Sequence, residues 1–341
     1  MVPTPRVPLS ILDLAIVSRG ATARDAFEAS VALAQRAEER GYRRIWYAEH
    51  HNIPSIASSA TSVLIAHVAA HTRTIRLGSG GIMLPNHSPL TIAEQFGTLA
   101  TLHPGRIDLG LGRAPGTDQR TWRALRRDPS AAEAFPQDVL ELQGYLSGSS
   151  RIPGVEAIPG AGTDVPLYIL GSSLFGAKLA AVLGLPYAFA SHFAPEALQE
   201  AVALYRQDFE PSAQLDRPHV IAGVNVIAAD DEAEAAEQHR SVVRSRVARM
   251  LGGGRRFTDE ELDALLGSPS GQHVAQMMRY SAVGDPSAVE EYLRWFTDEA
   301  GADELMVVHA SPTAETRLRS LDLVADAWRL DRAGAGVDRA G

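Results

Sequence analysis

Eight short apolar runs are spread along the chain, and nearly every gap between them carries helical periodicity. The runs are Leu9 to Val17, Arg43 to Ala48, Ile75 to Leu84, Ile107 to Leu111, Leu167 to Leu170, Tyr187 to Ala190, His219 to Ala228 and Glu304 to His309. Between them lie segments with helical character, such as Ala23 to Arg40, stopped by Gly41, and Pro89 to Leu102. Such alternation implies parallel strands, because each helix returns the chain to the same end of the sheet. Eight strands close a ring, so the expected fold is α/β, a (β/α)8 TIM barrel forming a single domain over residues 1–341.

Some segments break the repeat. Asp118 to Leu146 holds helical material, and Ser147 to Asp164 is a loop or short hairpin rich in Gly, Ser and Pro. Gly252 to Val283 carries a triple glycine, a short helix near Asp259 to Leu266 and a second glycine-bounded stretch. It reads as an insertion before the last β/α unit, lying over the top of the barrel as a lid. The Gly/Ala-rich tail, about 331–341, is expected to be disordered.

Composition removes several function classes. The absence of cysteine rules out disulfides, thiolate metal sites and a cysteine nucleophile. A net charge of −9 argues against a general nucleic-acid binder, and Arg120, Arg123, Arg126 and Arg127 read as one solvated helix face. No window approaches a membrane span, and Met1 to Ser10 has no apolar signal core, so a cytoplasmic protein is expected.

In parallel barrels chemistry collects at the carboxyl ends of strands, and four runs end suggestively. Ile45-Trp46-Tyr47-Ala48 breaks into Glu49-His50-His51. Adjacent residues point to opposite sides, so one histidine faces the mouth as an acid or base and the other takes a structural hydrogen bond. A packing role is the alternative for either. Metal is not expected, because His50 and His51 are adjacent rather than one residue apart, and His67 and His71 lack a following glutamate. The pair Gly80-Gly81 within a strand suits a bulge, a barrel corner or a planar ring lying on bare backbone, and tolerates a non-proline cis bond. Arg113 follows a strand in a Gly/Pro-framed loop, whose glycine spacing does not fit a dinucleotide fingerprint; its guanidinium suits a phosphate or an ion pair. Gly171-Ser172-Ser173 leads into a helix through Gly176, either as a plain N-cap or as a phosphate seat. Two anion-binding features on adjacent strand ends favour the phosphate.

These residues resemble the bacterial luciferase-like flavin-dependent monooxygenases, among them the single-chain luciferase-like oxidoreductases. The resemblance spans Leu9-Ser10-Ile11-Leu12-Asp13 to the last helix and is densest over Trp46 to Gly116. Its most specific runs are His87-Ser88-Pro89-Leu90 and His103-Pro104-Gly105-Arg106-Ile107-Asp108-Leu109-Gly110-Leu111-Gly112-Arg113. It implies a catalytic role for His50, a cis peptide beneath the flavin at Gly80-Gly81, and a phosphate held by Arg113 with Gly171, Ser172, Ser173 and Gly176. It further implies reduced FMN from a separate flavin reductase, O2, a small organic substrate and a homodimer joined through the helices after strands 2 and 3. Relatives of this fold that use deazaflavin for hydride transfer, and non-catalytic flavin-binding partner subunits, are the alternatives it leaves. Gly112 stands where the luciferase catalytic subunit has a reactive cysteine, and that enzyme's long mobile loop is not recognisable in 252–283, so light emission is not implied.

Overall fold

A computed structural model describes residues 6–18, 20–114, 116–252, 255 and 257–330. The tail 331–341, Gly253 and Gly254 fall outside the described residues. The first half runs β1 (Leu9–Asp13), α1 (Ala23–Glu39), β2 (Arg44–Tyr47), α2 (Thr61–Ala69), β3 (Arg76–Met83), α3 (Pro89–Leu102) and β4 (Ile107–Gly112). Two helices follow, α4 (Gln119–Ala124) and α5 (Phe135–Ser147), then β5 (Leu167–Gly171), α6 (Leu174–Leu183), β6 (Tyr187–Phe189) and α7 (Leu198–Gln207). The last third holds β7 (Val220–Ala228), α8 (Glu232–Leu251), α9 (Asp259–Leu266), α10 (Pro269–Gln276), β8 (Ser281–Gly284), α11 (Pro286–Ala300), β9 (Glu304–His309) and α12 (Ala314–Trp328).

Local chemistry sets these boundaries. Thr22 and Asp25 form a reciprocal capping box at the start of α1, satisfying amides that have no intrahelical partner. Helices α6 and α11 end on Gly184 and Gly301 in the left-handed region, where a side chain would be strained.

Eight parallel strands close a barrel in the order β1-β2-β3-β4-β5-β6-β7-β9, with β9 returning to β1. The (β/α)8 expectation therefore holds. One strand was not foreseen: Ser281–Gly284, inside the segment read as an insertion, is β8. It pairs with the distal half of β7, Asn225 to Ala228, whereas β6 pairs only with Val220 to Ala222. Four residues ending in glycine are too short to reveal a strand period. Strand β1 also ends earlier than its apolar run, at Asp13, and Ser147 to Asp164 contains no strand. None of the described helices is long and apolar enough to cross a membrane.

Two apolar layers hold the barrel. The larger lies between strands and helices; the smaller fills the lumen with Leu12, Trp46, Ala48, Tyr168, Ala188, Ile221 and Met306. Below it an ionic cluster plugs the amino-terminal end. Arg44 Nη1 donates to Asp108 (2.7 Å) and to the Tyr168 hydroxyl (2.7 Å), and its Nε lies 2.9 Å from Glu304. Trp46 Nε1 donates to Asp108 at 3.1 Å. Burial works against the Arg44 charge, but Glu304 and Asp108 more than offset it and raise its pKa. The plug seals one end, so the opposite mouth is where a ligand can enter.

Candidate active site

The tip of β2 is built around a buried carboxylate. Glu49 is 1% exposed and accepts hydrogen bonds from His51 Nε2 (2.9 Å), the Met83 amide (3.0 Å), Asn86 Nδ2 (3.1 Å) and His87 Nε2 (2.9 Å). Burial alone would raise its pKa; bonds from His51, His87 and Asn86 outweigh burial and bring it down to about 2. Asn86 in turn accepts from Trp122 Nε1 at 3.0 Å, fastening the turn after β3 to α4.

This divides the two histidines as their alternation suggests. His51 is the anchored one. His50 is half-buried, with Nδ1 3.4 Å from the Gly116 carbonyl, and among the described residues its Nε2 makes no hydrogen bond. Its own amide donates to Ser58 O at 3.1 Å. Burial depresses the His50 pKa, only partly opposed by Gly116 and Glu49, so the ring is neutral at pH 7 and able to accept a proton. Gly116, at φ +62°, lets the loop after β4 close onto this tip: a Cβ there would lie 2.8 Å from the Glu49 carbonyl oxygen.

The Gly80–Gly81 peptide is cis, and the β3–β4 register shifts between Ser79 and Ile82, so β3 bulges at the glycines. The barrel's own packing accounts for both missing side chains. A Cβ on Gly80 would come within 2.8 Å of Leu12 Cδ1 and 3.0 Å of Trp46 Cβ, and one on Gly81 within 2.8 Å of the Gly110 carbonyl oxygen. At Gly81 the bare backbone is therefore required with or without a ring above it, whereas at Gly80 the Leu12 side chain would have to shift.

Arg113 and the turn after β5 come together. The guanidinium of Arg113 stacks over Phe175 at 4.1 Å from the ring centroid, at the start of α6. Ser173 occupies the N-cap of that helix without making the side-chain cap bond, so the plain N-cap alternative is not what it does. A Cβ on Gly171 would meet nothing nearer than 3.7 Å, and one on Gly176 nothing nearer than 3.4 Å. Unlike Gly80 and Gly81, these glycines are not demanded by protein neighbours. A helix N-terminus with open amides, an uncommitted serine and an exposed arginine together fit a phosphate.

Sequence reasoning missed several members of this mouth. Asn86 and His87 follow β3 in a short 3₁₀ turn, and their link to Glu49 is tertiary. His192 lies after β6, its Nδ1 2.4 Å from where a Gly223 Cβ would stand, and Asn225 donates to its carbonyl at 2.7 Å. Burial pushes the His192 pKa down to about 3, with Arg246 and His50 adding to the effect. The signal available was that Ser191-His192 follows an apolar run, as Glu49-His50 does.

A closed barrel of eight parallel strands with titratable groups gathered at the strand ends is the fold that luciferase-like monooxygenases adopt. The chain belongs to that family: the luciferase-like monooxygenase family model matches residues 9–304. It is 49% identical over 324 residues to an Escherichia coli (strain K12) protein named luciferase-like monooxygenase, covering 94% of this chain and 96% of that one. It is 38% identical over 235 residues to the N-acetyl-S-alkylcysteine monooxygenase of Bacillus subtilis (strain 168), covering 67% of this chain and 70% of the other. Among solved structures, apo-MsnO8 superposes with a TM-score of 0.86 at 36% identity, over 96% of this chain and 100% of that one.

Proposed function

We propose that the chain is a two-component monooxygenase that uses reduced FMN and O2 to oxidise a small organic substrate at the barrel mouth. The observation that carries this is the juxtaposition of Arg113, Phe175 and the uncommitted Ser173 at the start of α6, at the same end of the parallel barrel as a neutral His50. When bound there, the flavin supplies the oxygen-activating redox chemistry. Arg113 and the amides of α6 hold its phosphate, with the Ser172 and Ser173 hydroxyls as further donors. Backbone at Gly80-Gly81 supports the ring without presenting a side chain to it. The apolar lumen of Leu12, Ala48 and Tyr168 excludes water from beneath.

His50 moves the proton. Its Nδ1 end faces the Gly116 carbonyl, which favours the tautomer carrying hydrogen there and leaves Nε2 as the acceptor toward the mouth. Glu49 acts through neighbours: it fixes His51, Asn86 and His87, and so the loop from which His50 projects. A flavin reductase as electron source and a homodimer through α2 and α3 complete the reading.

The test is a titration of the chain with FMN and with a deazaflavin, followed by O2 uptake after photoreduction in the presence of candidate aldehydes, ketones and alkanes. FMN binding is expected, and H50A keeps the flavin while turnover falls by about a hundredfold or more. Tight deazaflavin binding with no affinity for FMN overturns the proposal, and unchanged oxidation by H50A points instead to a non-catalytic flavin carrier.

A further inference from the structure

Two guanidinium groups on α8 take no part in the site described above. Other arginines of that helix are paired: Arg244 lies 2.6 Å from Asp263, and Arg240 3.2 Å from Glu237. Arg246 and Arg249, one turn apart, have no carboxylate within ion-pair reach among the described residues. Arg246 is half-buried and its Nε is shut away from water with no hydrogen-bond partner. His192, on which Arg246 acts electrostatically, has an equally orphaned Nδ1. Arg249 acts in the same way on His50, and His50 on His192. Arg246 and Arg249 on α8, His192 after β6 and His50 at the tip of β2 are close enough to act on one another's charge, and Arg246 and His192 each hold a buried, unpartnered nitrogen.

This set is electrostatically incomplete. Burial, followed by repulsion from Arg249, lowers the Arg246 pKa to about 10. A half-buried Arg246 with no counter-ion and a like charge one turn away lowers the stability of the folded chain. The nearest carboxylate at the β2 tip, Glu49, is already engaged by His51 and His87. A ligand that brings its own negative charge would complete the set.

This charge is not the cofactor phosphate. Arg113 and the α6 start sit at β4 and β5, whereas α8 follows β7, three strands from β4 round the ring. Arg246 and Arg249 also lie in the last turns of α8, where the helix carries partial negative charge and offers no free amides, so a dianion is poorly served. A carboxylate matches the planar guanidinium fork and carries a single charge.

Resting on the flavin reading above, we infer that Arg246 and Arg249 form a receptor for an organic carboxylate, so that the substrate is a small carboxylate anion. Its charged end lies against α8, and its oxidisable part reaches over the lumen toward His50.

The experiment titrates the full chain with hexanoate, methyl hexanoate and inorganic phosphate by calorimetry, with FMN titrated separately. Hexanoate is expected to bind, with the ester and phosphate at least about tenfold weaker. R246Q and R249Q each weaken hexanoate at least about tenfold and leave FMN affinity unchanged. Removing the half-buried, unpaired charge also raises the thermal midpoint of ligand-free R246Q, the opposite of what losing a structural arginine does. Arg249 is exposed, so R249Q keeps the test valid should R246Q fail to fold. Equal binding by the ester, tighter binding by phosphate, undiminished hexanoate binding by both variants, or an FMN affinity that falls with them overturns the inference. A wild-type chain that binds hexanoate as described but not FMN keeps the carboxylate receptor and removes the flavin reading.

Discussion

Replacing Glu49 by glutamine keeps the shape of the β2 tip and removes its charge. The wild-type carboxyl is held at about 2 against an ordinary 4.5, a difference worth about 3 kcal/mol of folding stability at pH 7. The sign follows from linkage: a depressed carboxyl stabilises the fold above its unfolded pKa, and the contribution fades as pH falls through the folded one. At pH 3 the group retains only about 1.5 kcal/mol. Glutamine cannot replace the charge, and its NH2 group meets the donors of His51, Asn86 and His87 with another donor. Urea denaturation of both proteins at pH 7 and pH 3 measures the gap. E49Q should be less stable by about 3 kcal/mol at pH 7 and by roughly half of that at pH 3. A gap that does not narrow with acid, or one below about 0.5 kcal/mol at pH 7, refutes the view that a charged Glu49 organises the mouth.

R113A should weaken FMN about tenfold or more by fluorescence titration, because it removes a guanidinium from the phosphate while leaving the barrel melt within about 1 °C. G110A should lower stability by about 1–3 kcal/mol in urea, since its Cβ would stand 2.2 Å from the Ser79 carbonyl oxygen. E304Q should cost about 3–5 kcal/mol by leaving Arg44 under-compensated in the plug, with FMN affinity of the folded protein unchanged. Oxidation rates governed by His50 should hold their plateau down to pH values below 6.5, because burial depresses that imidazole; a fall beginning above pH 6.5 contradicts a neutral base.

Periodicity carried the barrel because its strands are apolar and its helices long enough to display a face. Strand β9 runs Glu304–His309, the span its apolar run marks out. Strand β8 stayed hidden because Ser281 to Gly284 has no pattern until it meets β7. At the mouth, Glu49, His50, Arg113 and Ser173 could be found because each ends an apolar run. Asn86, His87 and Arg246 could not, since two sit in or beside a turn and one in a long charged helix, and only folding brings them into range; His192 follows an apolar run and was open to the same reading as His50. The double glycine was legible as a feature, but its cause was not: Leu12, Trp46 and Gly110 are remote in sequence and adjacent only in the closed ring.

Strand β7 has three neighbours, β6 along Val220 to Ala222, β9 along Ile221 to Val226 and β8 along Asn225 to Ala228. The excursion through α8, α9 and α10 thus leaves and rejoins the wall at fixed stitches. Residues between those stitches can change without disturbing barrel closure. On the proposed function, divergence in what is recognised would fall there, apart from the tips of β2, β4 and β5.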